Sequence, residues 1–233
     1  MQPTYFPWAG YFNLIAQVDV FVFLDDAQYE KSSWQNRNRI LLNGQPHWLT
    51  VPGHRNHLGQ SIIEIGIDDK RNWRDKQFRL LQQAYTHHPY VDEMLAAAGI
   101  ILDRNLGNLA ELNIRIVTHL MHEFDIATRI LRSSTLDLPG KRTERLVKIC
   151  EHLGCTEYVA PIGSTEYLAE DGFTEMTSIS LLFNSYVPDA YSQVGSKSFV
   201  SHLSILDVLA NIGKKAASEY VRGIETRNAA SIQ

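Results

Sequence analysis

Gln2-Pro3-Thr4-Tyr5-Phe6-Pro7-Trp8-Ala9-Gly10-Tyr11-Phe12, followed by the run Asp19 to Tyr29 (DVFVFLDDAQY), is the stretch whose reading decides the fold. Its first half crowds aromatic rings, two prolines and a glycine together. Trp8, Tyr11, Phe12 and Ile15 then fall on one helical stripe over residues 8–17, with Pro7 tolerated at the entrance. Val20 to Leu24 is continuously apolar, the signature of a strand buried on both faces. Loop, helix and buried strand in that order make half of a parallel α/β unit. The strand runs straight into Asp25, Asp26, Gln28 and Tyr29, and open α/β proteins place ligands at such strand exits.

Working outward, Arg39–Leu42, Asn43-Gly44 and His47–Val51 read as a hairpin, because Asn-Gly tolerates the positive φ of a tight turn. Ile62–Ile67 alternates as a strand would. From Trp73 the period changes to 3.6. Phe78, Leu81 and Tyr85 share one helix face, a second helix covers about 90–98, and a third starts at Asn108 with Glu111 at capping-box spacing. Together they predict a helical insert over about 70–127.

The α/β rhythm then returns. Strands are expected at Thr128–Leu131, Glu157–Ala160 and Ser178–Phe183. Helices are expected at Lys141–Leu153, stopped by Gly154, and at Leu203–Ile212, stopped by Gly213.

With 233 residues, the chain can bury a substantial core. A formal net charge of −4 argues against a nucleic-acid surface, which is normally basic. Cys150 and Cys155 have no partner set for zinc and read as reduced packing thiols. A signal peptide and an apolar run of about 18 residues are both missing, so the expectation is a cytoplasmic protein without membrane insertion. The pairs His119/His122 (beside Glu123) and His54/His57 lack a third ligand, so no metal site is expected.

Several groups carry chemistry, each with a plainer alternative. Tyr5, Trp8, Tyr11 and Phe12 either stack a sugar or base ring or fill the core. Gln2, ahead of a proline, needs a partner or a ligand. Asp25 and Asp26 serve as base or hydroxyl-orienting groups, or else form a turn. In WQNRNR (34–39), Arg37 and Arg39 alternate with Asn36 and Asn38, so on an extended chain the two kinds point to opposite faces. One pair is then free to hold phosphate or carboxylate, unless the charges merely guard an edge strand. Ser204, Asp207 and Asn211 share the polar face of the last helix, downstream of Tyr191, Gln193 and Lys197, and Asp207 stands in an apolar setting that fits a buried, ligand-facing acid.

The segments QPTYFPWAGYF (2–12), DVFVFLDDAQY (19–29), WQNRNRI (34–40), LTVP (49–52), YVAPIGSTEYL (158–168) and YSQVGSKSFVSHLSILDVLANIG (191–213) resemble, in order, the WbqC-like family of bacterial proteins, encoded among genes for O-antigen and other surface polysaccharides. Members usually begin with a short apolar strand ahead of the Gln-Pro pair. This chain starts at Met1-Gln2, so that strand is expected to be trimmed or missing, with its neighbours exposed.

The resemblance implies a pathway. With the residue chemistry it leads to one expectation: a Rossmann-like α/β domain over 1–233, with a mostly parallel sheet, the β-hairpin and the helical insert. The expected activity is acyl or aminoacyl transfer onto a nucleotide-linked amino sugar. The small-molecule substrate would be a nucleotide sugar or an amino-acid-derived donor, and the sequence names no cofactor. Gln2, Tyr5 and Trp8 would hold a ring, Arg37 and Arg39 a phosphate or carboxylate. Gln28, Tyr29, Asn38, Gln193, Ser204 and Asn211 would line the site. Asp25, Asp26 or Asp207 would be the base. An adenylate-forming ligase is one alternative, although residues 2–15 lack the two histidines of a nucleotidylyltransferase loop. A non-catalytic sugar-nucleotide-binding protein is the other. The enzyme reading requires the aromatic loop, the arginine segment and Asp207 to line one cavity.

Overall fold

A computed structural model describes residues 1–223 and the backbone of 227–229; residues 224–226 and 230–233 lie outside the described residues. In chain order the elements are α1 (Ala9–Ala16), β1 (Val20–Phe23), β2 (Arg37–Leu42), β3 (Gln45–Thr50), β4 (Gly53–His54), β5 (Gly66–Ile67), α2 (Trp73–Ala84), α3 (Val91–Ala98) and α4 (Leu109–Glu123). There follow β6 (Arg129–Arg132), α5 (Arg142–His152), β7 (Glu157–Pro161), α6 (Thr165–Glu170), α7 (Phe173–Met176), β8 (Ser180–Asn184), α8 (Ile205–Arg222) and β9 (Arg227–Ala229).

The fold is mixed α/β, but its strands do not form one mostly parallel sheet. Among the described residues parallel strand pairing is confined to β1 with β6 and β7 with β8; β9 adds to β8 antiparallel, β2 with β3 is the hairpin, and β4 with β5 is a two-residue pair. Met1 lies along β1 in parallel fashion: its nitrogen donates to Val22 O at 2.8 Å and its carbonyl accepts from Leu24 N at 2.8 Å. A slot of about 370 Å³ separates β1 from β7, lined by residues of both strands and by Met1, Cys150 and Cys155. Two hydrophobic clusters flank this division. The larger joins α1, β1, the hairpin, α2–α4 and α8, and the smaller gathers Val147, Cys150, Ala160, Leu168, Phe173 and Leu181.

The expected helical insert is therefore no appendage. Leu81, Tyr85, Met94, Leu112 and Ile116 pack into the same cluster as Phe12 and Leu209. Helix α1 is buried from Ala9 to Ile15, as expected of a helix apolar all round.

One local expectation changes and another is extended. Ile62–Glu64 is a 3₁₀ turn rather than the start of a strand, because the Glu64 carboxylate accepts from both Ser61 N (2.8 Å) and Ser61 Oγ (2.6 Å) and closes a capping box. Beyond the stop at Gly213, which is non-helical as expected, a further helical segment that the sequence reading did not include continues to Arg222. Gly213 sits at φ 76°, and a Cβ on it would come within 2.7 Å of the Tyr90 ring, so glycine permits a kink tight against α3.

What positions the amino-terminal loop is a set of amide clamps. This loop is buried but has no ladder to satisfy its carbonyls, which must then find side-chain donors. Asn38 Nδ2 donates to Tyr5 O (3.1 Å) and Phe6 O (2.9 Å), while Asn113 Nδ2 donates to Pro3 O (3.2 Å) and Gln35 O (2.7 Å). Phe6 is held at φ 38°, a left-handed conformation that a bulky residue adopts only under tertiary constraint.

Asn38→Ala leaves two buried carbonyls without donors and is expected to cost about 2–4 kcal/mol in urea unfolding. Asn38→Asp, nearly isosteric but unable to donate, should cost at least as much. A loss under half a kcal/mol in both variants would refute the clamp.

Candidate functional site

The hairpin builds the most chemically distinctive surface. Asn43 (φ 50°) and Gly44 (φ 73°) form the left-handed pair of a tight turn, which sets Arg39 opposite Trp48 and Arg37 opposite Thr50. With that register fixed, Asn36 and Asn38 point inward, and Arg37 and Arg39 lie on the outer face. The Arg37 guanidinium lies 4.1 Å from the Trp48 ring centroid; that of Arg39 lies 5.6 Å from Trp34 and 5.7 Å from Trp48. The indoles of Trp34 and Trp48 pack at 5.4 Å and remain 48% and 40% exposed. Among the described residues neither guanidinium has an ion-pair partner, and both Nε–H groups are buried from water without an acceptor. This is a clasp of two stacked, uncompensated cations.

The amino-terminal loop meets the clasp. Tyr5 N donates to Trp34 O at 3.1 Å, and the exposed Gln2 accepts from Gln35 Nε2 at 2.9 Å. Trp8 lies flat over the start of α1, where only a glycine fits: a Cβ on Gly10 would fall 2.2–2.7 Å from its ring carbons. On Trp8 rests His202, with ring centroids 4.5 Å apart. Burial and the nearby Arg39 hold the His202 imidazole below its ordinary pKa.

A second polar group occupies the carboxyl ends of β1 and β6. Asp25 is fully buried and accepts from Ser134 N (3.0 Å), Ser134 Oγ (2.7 Å) and Ser133 Oγ (3.4 Å). Asp26 pairs with Arg145 of α5 and accepts from Ser133 Oγ, and its side chain is 23% exposed. Gln28 lies exposed beside it, its carbonyl taken by Gln35, whereas Tyr29 is buried.

The third group is internal. Asp207 is fully buried and accepts from Tyr191 (2.7 Å), Gln193 (2.9 Å) and Tyr85 (3.0 Å). Asn211 accepts from Val194 N, and Gln193 exchanges two bonds with the Val200 backbone, so these residues fasten the loop 191–200 onto α8. Ser204 Oγ caps α8 by accepting from Leu206 N. Desolvation is the largest influence on Asp207 and raises its pKa, against the lowering effect of its three donors.

Of the residues expected to converge, Arg37 and Arg39 lie together on the hairpin with Trp34 and Trp48, Gln2 is bonded to Gln35 beside Trp34, and Trp8 packs against His202. Asp25 and Asp26 stand at the strand ends, bonded to Ser133, Ser134 and Arg145, while Gln35 joins Gln2 to the backbone carbonyl of Gln28. Tyr5, whose hydroxyl donates to Gln77, is buried, as are Asn38, Gln193, Ser204, Asp207 and Asn211. The slot beside β1 and the cleft at Glu111, Arg115 and Arg132 are lined by none of them, so neither is the shared cavity expected, and the enclosed Asp207 does not open to the surface with Arg37 and Arg39.

Trp48, His202, Ser133, Ser134 and Arg145 escaped sequence reasoning. For Trp48 a signal existed: it faces Arg39 once the hairpin register is set by Asn43-Gly44. The others meet their partners only across long sequence separations. Among the described residues no group of three His, Cys, Asp or Glu could hold a metal ion, and no helix is long and apolar enough to cross a membrane.

Comparison with known proteins agrees with the resemblance carried by the motifs. The model of the WbqC-like protein family matches residues 2–219. A protein of Mycobacterium tuberculosis, described only as uncharacterized, is 35% identical over 227 residues, covering 95% of this chain and 96% of its own. No solved structure matches the chain.

The buried acid yields a pH test. A carboxyl whose pKa is raised on folding contributes stability below its unfolded pKa and loses it as pH rises through the folded value. Asp207→Asn, measured by urea unfolding, should therefore cost more at pH 4 than at pH 7. Asp207→Ala, which strands three donors, should cost about 3 kcal/mol or more at pH 7. A cost of Asp207→Asn that grows with pH would overturn this account.

Proposed function

We propose, from the premise that the chain belongs to the WbqC-like family, that this protein is an enzyme of bacterial surface-polysaccharide biosynthesis acting on a nucleotide-linked amino sugar. The reaction is acyl or aminoacyl transfer to the sugar amine. The observation that carries the reading is the clasp: two guanidiniums without carboxylate partners, layered on two half-exposed indoles. A nucleotide sugar presents the complementary pair, a pyrophosphate for forked guanidinium donors and flat rings for aromatic faces.

In this reading Arg37 and Arg39 hold the pyrophosphate, and Trp34, Trp48 and Trp8 contact the rings. Gln2 adds a polar contact at the edge. Asn38 and Tyr5 act from beneath, keeping the loop under the clasp. Asp26, whose carboxylate alone among the three candidate aspartates reaches solvent, takes the proton from the acceptor amine as the nitrogen bonds the acyl carbon and the donor's carrier group departs with the electron pair of the acyl–carrier bond that breaks. Asp25 keeps Ser133 and Ser134 in place beside it, and Asp207 secures the 191–200 loop.

One observation favours a second reading, a sugar-nucleotide-binding protein without turnover. All three aspartates are already engaged by internal donors, which leaves each less available to a substrate.

Calorimetry against a panel of nucleotide sugars tests the clasp. Arg37→Ala and Arg39→Ala should each weaken binding at least tenfold, since a hydrogen bond to a charged group contributes about 1.5–3 kcal/mol and 1.4 kcal/mol is a factor of ten. Unaltered affinity in both variants would remove the site. Mass spectrometry with acyl and aminoacyl donors then separates the readings. Asp26→Asn should bind normally and abolish the mass change; a wild-type protein that binds without any mass change selects the binder.

A further inference from the structure

The clasp leaves one neighbour unexplained. His202 sits in the left-handed region at φ 57°, which non-glycine residues occupy sparingly and which concentrates at functional sites. It is kept there from two sides. Ser204 N donates to Arg39 O at 2.8 Å and Ile205 N donates to Pro7 O at 3.0 Å, so the segment entering α8 is pinned at once to the hairpin and to the amino-terminal loop.

The imidazole rests on Trp8 with its plane tilted 35°, and Nδ1 lies 2.9 Å from Ser201 Oγ. Nε2 has no hydrogen-bond partner among the described residues, and the residue is exposed. From the packed elements, the charged group that acts on it is Arg39 on β2, whose backbone carbonyl holds Ser204; the amino-terminal loop presents Trp8, which carries no charge, and no carboxylate pairs with His202 among the described residues. An imidazole placed beside an uncompensated guanidinium is disfavoured as a cation until an anion arrives between them.

We propose that His202 is a proton-linked ligand of the Arg37–Arg39 clasp: neutral in the empty protein, it takes one proton from solvent as a phosphorylated ligand binds and becomes the third cationic contact. This rests on the reading of the clasp as a nucleotide-sugar site and adds to it both a residue and a regulation. Burial and Arg39 keep the free imidazole below the ordinary histidine range, so at neutral pH the empty site holds two cations rather than three. Anion binding must then be tighter at lower pH, by reciprocity between proton and ligand.

The probe is UDP-N-acetylglucosamine, whose diesterified pyrophosphate does not titrate near neutrality, so that any pH dependence belongs to the protein. Calorimetry in buffers of differing ionisation enthalpy should show net proton uptake at pH 7, with affinity roughly tenfold tighter at pH 5.5 than at pH 7.5. His202→Gln should bind at about the wild-type pH 7.5 affinity, with no proton uptake and a flat pH profile.

A second measurement needs no variant. The tryptophan fluorescence of the free wild type should quench with a midpoint below the usual histidine value, as imidazolium forms against Trp8, and saturating ligand should move that midpoint upward. Undiminished proton uptake in His202→Gln, or a midpoint that ligand leaves in place, would overturn the proposal while leaving the clasp intact. No binding at any pH would instead bring down the clasp reading itself.

Discussion

The Asn38 amide, donating at once to Tyr5 O and Phe6 O, is the contact on which the rest of the architecture depends. A loop carried through the interior has backbone carbonyls that neither water nor a strand can satisfy, and each would cost free energy comparable to a lost hydrogen bond. Here side-chain amides supply the donors. Asn36 reaches Val51 O, Asn113 reaches Pro3 O and Gln35 O, and Asn13 closes the end of α8 at Val221 O and Arg222 O. Because Asn36 and Asn38 must face inward to do this, strand alternation places Arg37 and Arg39 outside. The same constraint that buries the loop thus exposes the cations.

Those cations differ from the ion-paired arginines among the described residues. Arg74 is almost completely buried, yet its guanidinium is satisfied by Asp69 and by the carbonyls of Ile101, Asp103 and Leu106. Arg132 pairs with Glu111, Arg142 with Asp171 and Arg145 with Asp26. Arg37 and Arg39 have indole faces instead of carboxylates, which lend attraction without neutralising charge. In a protein of net charge −4, that local excess has a physical meaning the overall sum conceals.

Much of the helix and strand pattern was legible. The 3.6-residue period located α2, α3, α4 and α5, and Asn43-Gly44 located the hairpin, because these signals depend on neighbours within a few positions. The capping residue Asn108 was read correctly as well, although the Glu111 side chain turns to Arg132 on β6 rather than back to the cap. The reading lapsed where distant groups intervened. Isoleucine alternation over 62–67 gave way to the Ser61–Glu64 box, and beyond the stop at Gly213, where Tyr90 packs against the glycine, the chain resumes a helix to Arg222.

For the candidate site the division is sharper. Turn chemistry and period by themselves determined that two arginines share the outer face of a hairpin and that a buried strand ends in two aspartates, both matters of local stereochemistry, while the motif segments alone carried the resemblance to the WbqC-like family. Only the tertiary structure decided that Asp207 is enclosed by Tyr85, Tyr191 and Gln193, and that His202 lies on Trp8 beside Arg39. It also decided that the parallel strands divide into two pairs across a slot. Those outcomes depend on which side chains meet after chain segments as many as 194 positions apart, Trp8 and His202, are packed together. Periodicity and propensity extend over a turn or a strand, and encode nothing about that encounter.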